Sequence, residues 1–264
     1  MSRVSTAGES SPWGSTAPLV GGLLLVLYTV PVAWLFVAQP PAAVLASLDA
    51  PFVVSAARNT LVSAAVSALL ATVLGVPLAY WLARARFRGR AFVTALVAFP
   101  LVLPPVVSGM VLLSAVGADG LGGLLGVQVT GTLAGVVLAQ TFVASPFVVL
   151  TARSAFEAVD GDAEEAARTL GATEWGAFRR VTLPLAGRGI LAGVTLAFAR
   201  AAGEFGATLM LAYYPRTLPV QIWATFQGRG LDAAFPVAVV LVALASLALV
   251  VLNLAGESTL GFAD

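Results

Sequence analysis

The chain has 264 residues, is 59% hydrophobic and 10% charged, and carries a formal net charge of +1. Its mean hydropathy of +0.96 lies far outside the range of soluble globular domains. It contains no Cys, no His and no Lys, and all 14 basic residues are Arg, which excludes disulfides, the usual zinc and haem sites, Cys–His or Ser–His–Asp catalysis, and a G-x-x-x-x-G-K-[ST] phosphate loop.

Residues 1–18 are rich in Ser, Gly and Pro and are expected to be a disordered tail. The first apolar run, Leu19–Val37, is longer than the core of a signal peptide and reads as an uncleaved membrane helix. Crossing a bilayer core of roughly 30 Å takes about 20 apolar residues. Leu61–Ala83, Ala91–Val116, Gly131–Ala152 and Ala233–Leu254 meet that length, and Gly189–Ala212 meets it with only Arg200 and Glu204 as charges. The expected architecture is all-α and integral to the membrane, with six spans in one domain over residues 19–256 and a cytoplasmic tail over 257–264.

Between the second and third spans lie Arg84, Arg86, Arg88 and Arg90, a topology signal or a site for anionic lipid. In the third span Pro100, Pro104 and Pro105 each remove a backbone donor, which predicts a kink. Kinked helices often border a cavity, although prolines are also ordinary in membrane helices. Pro104, Pro105 and Ser108 are therefore candidates for a pathway or gate, together with Thr208 in the fifth span. Gly117–Gly126 follows no strand and reads as a flexible external loop, not a phosphate-binding turn.

The polar stretch 160–188, set between two apolar runs, holds the richest pattern. Asp162 followed by Glu165 has capping-box spacing, so a helix over Ala163–Leu170 is predicted, closed by Gly171 in a left-handed conformation. Thr173 can cap a second short helix that carries Trp175 and Phe178. The prediction is a helical hairpin outside the bilayer with Ala166 and Ala167 on its surface. Glu165 is either simply a cap or part of a knob that fits a groove on another protein.

Arg200 and Glu204 are four residues apart and share one helix face. At 1.5 Å per residue Glu204 lies roughly 22 Å from Gly189, deep in the membrane. Charges there cost about 2.5–3.5 kcal/mol each on insertion scales, which mutual pairing would reduce. A structural or gate-stabilising pair competes with a direct role in the path, and a carboxylate repels a dianion. Placing the 160–188 loop inside puts ten arginines on its side and three (Arg58, Arg216, Arg229) on the other. That satisfies the positive-inside rule, with both termini cytoplasmic.

The spacing Glu165-Ala166-Ala167, Gly171, Val181 and Leu183-Pro184 resembles the cytoplasmic coupling loop of ABC importer permeases. Further runs resemble the permeases of oxyanion importers for sulfate, molybdate and tungstate: Asn59-Thr60-Leu61, Leu101-Val102-Leu103-Pro104-Pro105, Ser145-Pro146-Phe147 and, most specifically, Gly203-Glu204-Phe205-Gly206-Ala207. Ala212-Tyr213-Tyr214-Pro215 is most similar to the tungstate/molybdate branch, whereas Gly187-Arg188-Gly189 stands where many relatives have a proline. The resemblance implies a type I ABC importer permease in a prokaryotic plasma membrane, with Asp162, Glu165, Ala166, Ala167, Gly171, Leu183 and Pro184 as ATPase-coupling residues. It implies a second copy of the chain, an ATPase dimer holding ATP and Mg, and an external oxyanion-binding protein as partners, with no cofactor on this chain and no nucleic acid. The alternatives are a sulfate/thiosulfate permease and an ATP-independent secondary transporter. The second would show inverted repeats, and none is evident. An intramembrane enzyme lacks the residues it would need.

Overall fold

A computed structural model describes residues 16–260. The expected tail 1–18 lies outside these as far as residue 15, and so do residues 261–264 of the expected C-terminal tail. The described residues form α1 (Thr16–Ala38), α2 (Pro41–Asp49), α3 (Pro51–Arg84), α4 (Arg90–Val102), α5 (Pro105–Val116), α6 (Leu121–Leu125) and α7 (Leu133–Ala158). They continue as α8 (Gly161–Thr169), α9 (Glu174–Ala177), a π turn (Phe178–Thr182), α10 (Leu183–Ala202), α11 (Gly206–Leu211), α12 (Leu218–Arg229) and α13 (Leu231–Leu260). Among the described residues, six stretches are long and apolar enough to cross a membrane, the number expected from the sequence.

The third span departs from the prediction. The run 91–116 is two helices, because Leu103 and Pro104 are both extended, at φ −70°, ψ 133° and φ −53°, ψ 138°. Each precedes a proline, which disfavours the helical region for both. Pro105 then restarts the chain as a favourable first helical residue. The expected kink is a complete break, and the membrane-length stretch is Pro105–Leu125. It includes α6, so Gly117–Gly126 is partly helical and not simply a flexible loop. The fifth span begins earlier than expected, at Leu183, and ends at Ala202. The apolar helices α2 and α12 were not expected, being shorter than a span.

Where α3, α7 and α10 meet, the core is made of small residues: Ala64, Ala68, Ala71, Ala144, Ala197, Ala201 and Ala202 with Val148 and Phe198. Small side chains let helix axes approach closely, the main source of helix association in lipid. Gly189 and Gly193 extend this seam one helical turn apart. A Cβ on Gly189 would lie 2.5 Å from that of Ala155, and one on Gly193 would overlap Thr151 Oγ1 and crowd the Phe147 carbonyl. Glycine at these two positions lets α10 lie against α7. The outward faces instead carry exposed large apolar residues such as Leu23, Leu69, Leu74, Leu96 and Leu247, as a lipid-facing surface requires.

Arg84 at the end of α3 pairs with Glu164 of α8, and Arg90 and Arg153 pair with Glu157 near the end of α7. The arginine loop and the 160–188 loop therefore lie at one end of the domain. At the opposite end Asn59 Nδ2 donates to the Arg216 carbonyl at 2.9 Å, and the Arg229 guanidinium lies 5.7 Å from the Phe52 ring centre.

Gly193→Leu should lower the stability of the detergent-solubilised protein by about 1–3 kcal/mol through overpacking. Gly22→Leu, where an added Cβ meets nothing within 4 Å, should leave the melting temperature unchanged.

Candidate functional site: a helical hairpin at one end of the membrane domain

Only Val159 and Asp160 connect α7 to α8, both extended, with Val159 buried in the cluster of Ala79, Leu82, Phe156 and Ala186. Asp160 is thus the first residue free to cap α8, and its carboxylate accepts from the Asp162 N–H at 3.1 Å. The expected cap at Asp162 is corrected: Asp162 and Glu164 lie in the first turn, where their charge suits the helix dipole. Glu165 is too far along to reach back in a capping box. Its side chain is 74% exposed, with Arg168 at 3.9 Å.

The end of α8 follows the prediction. Gly171 has φ +91°, its N–H donates to the Arg168 carbonyl, and Ala172 N–H donates to the Ala167 carbonyl. This pattern closes a helix through a left-handed residue. Thr173 then caps α9 by accepting from the Gly176 N–H.

Two faces of the hairpin do different work. Glu164 points inward, where one of its oxygens binds Arg84 Nη2 at 2.7 Å and also accepts from the hydroxyl of the fully buried Thr182. One carboxylate thus ties α8 to the end of α3 and to the π turn that leads into α10. A polar cleft of about 250 Å³ lined by Tyr80, Arg84, Glu164, Arg168, Glu174 and Ala177 lies between hairpin and membrane domain. From there a chain of ring contacts runs outward, edge-to-face from Phe156 to Tyr80 (5.3 Å) and from Tyr80 to Phe178 (4.7 Å), then stacked from Phe178 to Trp175 (5.4 Å). Asp162, Glu165, Ala166, Leu170 and Trp175 face solvent, with Leu170 89% and Trp175 67% exposed, while Ala167 is half-buried. Large apolar side chains left exposed on a polar hairpin make it a candidate interaction surface.

Leu183 packs inward against the same cluster, and exposed Pro184 stands in the first turn of α10. A proline there has no N–H and would clash with the Arg180 carbonyl in a regular helix. The wider π turn over Phe178–Thr182 relieves that conflict. Glu164, Arg84, Leu170 and Tyr80 were missed by the sequence reading. Two adjacent acids look alike in sequence, and Arg84 lies 80 positions from Glu164. A leucine at the end of a polar segment, just before the closing glycine, was a signal available for Leu170.

The other candidates gather around the crossing of α5 and α11. A Cβ on Gly109 would lie 2.8 Å from Ala207 Cα, and one on Gly206 2.8 Å from Pro105 Cβ. Pro104 and Pro105 are exposed, whereas Ser108 and Thr208 are fully buried with hydroxyls that find no hydrogen-bond partner among the described residues. Arg200 and Glu204 form the expected ion pair, but not within one helix. The chain turns at Gly203, and Glu204 Oε1 accepts from the Ala207 N–H at 2.8 Å, so the carboxylate holds the start of α11. Glu204 is 1% exposed and Arg200 28%.

A six-span helical domain with a polar helical hairpin standing out at one end has the build of a transport-system membrane subunit. The chain belongs to the family of binding-protein-dependent transport system inner membrane components, which matches residues 75–258. It is 58% identical to a probable molybdenum ABC transporter permease of Haloferax volcanii, over 93% of this chain and 91% of that one. It is 40% identical to a molybdate/tungstate transport system permease of Thermococcus kodakarensis, covering 85% and 88%. Among solved structures it resembles a bacterial alginate ABC transporter (TM-score 0.70, 17% identity, covering 92% and 94%) and the methionine ABC transporter (0.61, 20%, covering 81% and 96%). Those likenesses speak to the fold, that of a type I ABC importer permease, as the sequence resemblance implied.

Two outcomes follow from this geometry. A Cβ on Gly171 meets no neighbour, so replacing it costs backbone strain alone. Gly171→Val should cost roughly 1–2 kcal/mol, and Gly171→Asn less, in thermal unfolding of the protein. For the buried pair, Arg200→Leu strands a carboxylate and should cost on the order of 3–5 kcal/mol. Glu204→Gln keeps an acceptor for Ala207 and leaves a cation able to reach polar surroundings, so it should cost less. The double change should be milder than Arg200→Leu alone, and a double-mutant cycle on melting measures the coupling.

Proposed function

We propose that this chain is the permease of an ATP-driven importer that carries molybdate or tungstate into a prokaryotic cell. The observation that carries this reading is the hairpin. It exposes Glu165, Ala166, Leu170 and Trp175 while Glu164 and the aromatic contacts bind it to α3, α7 and the start of α10. An ATPase chain docked on those exposed residues pushes on the hairpin, and the tie carries the push to the membrane helices. The names of the relatives support the substrate class, and the absence of Lys supports a separate chain for ATP hydrolysis.

Two copies form the path, with two ATPase subunits on the cytoplasmic side and an external binding protein that selects the oxyanion. The arginine balance supports a cytoplasmic hairpin and cytoplasmic termini. Closure of the ATPases opens the bundle outward, and hydrolysis returns it. Glu204, neutralised by Arg200 and bound to α11, holds the gate region together instead of meeting the anion.

In proteoliposomes containing the permease with its ATPase and binding protein, ATP-dependent uptake of radiolabelled molybdate is expected, inhibited by tungstate and not by sulfate. Inhibition by sulfate as strong as by tungstate would replace the substrate assignment. In whole cells, single Asp119→Cys and Asp232→Cys variants, exposed positions in a chain without native Cys, should react with an impermeant thiol reagent and Arg88→Cys should not. Labelling at position 88 would reverse the orientation.

A further inference from the structure

Opposite the hairpin, the segment between α11 and α12 holds a cation without an anionic partner. Arg84, Arg90, Arg153, Arg168 and Arg200 each meet a carboxylate. Arg216 makes no ion pair among the described residues. Its Nη2 donates to the hydroxyls of Tyr213 (3.0 Å) and Tyr214, and its Nη1 to Gln221 Oε1 at 3.3 Å. The guanidinium carbon lies 4.8 and 4.6 Å from the two ring centres, and Nε is buried with no acceptor.

Among the described residues the charge is therefore held by neutral groups alone. Each tyrosine oxygen accepts from the guanidinium, so each keeps its own O–H to donate elsewhere, and neither finds an acceptor among the described residues. Tyr213 is 36% and Tyr214 57% exposed. Two exposed O–H donors polarised by a cation are the chemistry that recognises a tetrahedral oxyanion.

The place is fixed from behind. Asn59 holds the Arg216 carbonyl, and Thr60 Oγ1 accepts from the Leu218 N–H at 2.7 Å. Along α3 Asn59 lies roughly 38 Å from Arg84 at 1.5 Å per residue. That exceeds the roughly 30 Å hydrocarbon core, so the cluster stands at the membrane surface away from the hairpin.

We propose that Arg216, Tyr213 and Tyr214 form an oxyanion contact at the outer mouth of the permease, which a dianion such as molybdate meets on its way in. This contact rests on the importer reading above. The test uses the reconstituted transporter with its ATPase and binding protein, reading molybdate uptake beside the melting temperature of the complex. Arg216→Gln should lower uptake about tenfold, and Arg216→Lys, which keeps charge but loses the fork, about threefold. Tyr213→Phe with Tyr214→Phe should lower uptake about threefold with melting unchanged. Unchanged uptake in Arg216→Gln overturns the contact, as does an equal loss in the Lys and Gln variants that tracks a lowered melting temperature, the mark of a loop anchor. Absence of molybdate uptake by the wild-type complex overturns the importer reading and the contact together.

Discussion

The close approach of α3, α7 and α10 is the constraint on which the rest of the structure depends. It exists because alanine lines the meeting faces and because Gly189 and Gly193 lie where α10 crosses α7. In lipid there is little hydrophobic gain from bringing helices together, so contact area between small residues has to supply the cohesion. A larger residue on this seam would separate the helices and, with them, the ends that hold the hairpin. Arg84 closes α3, Glu157 closes α7 and Thr182 opens α10, so their juxtaposition is a consequence of the seam.

On that base the hairpin is attached by two kinds of contact with different stiffness. Glu164 is a directional tie, bonded at once to a cation and to a buried hydroxyl. The rings from Phe156 to Trp175 form a broader apolar joint that tolerates small tilts. The hairpin is thus held to α3, to α7 and to the start of α10 at once. The junction of α5 and α11 is built differently, with a proline break on one side and a glycine turn on the other. Firm attachment near the hairpin and breaks in the helices farther from it suit a bundle that bends away from its base.

Much of this was legible in the sequence. Long apolar runs mark spans whatever the neighbours do, and the Gly171 closure and the Thr173 cap are local chemistry that holds in context. Two of the misses share one cause: the deciding partner lay far away in sequence. Asp160, not Asp162, caps α8 because buried Val159 fixes where α7 ends. Glu164 and not Glu165 is the tie because α3 brings Arg84 to it. The turn at Gly203 was hidden in an apolar run that reads as helix, and it forms where Glu204 can bind the start of α11. The unforeseen α12 is too short to register as a span, yet Leu218 and Val237 bury it against α3 and α13.

The break between α4 and α5 has a consequence for solvent. In a continuous helix the carbonyls of Pro100 and Leu101 would accept from residues 104 and 105, and both of those are prolines without an N–H. A carbonyl left without a donor cannot face hydrocarbon tails at low cost, because lipid offers nothing to hydrogen-bond it. That edge of α4 must therefore meet water or protein, as buried Pro100 does within this chain, and not lipid. The two prolines mark where the hydrophobic slab around this subunit is interrupted, and where wetting of its interior can begin.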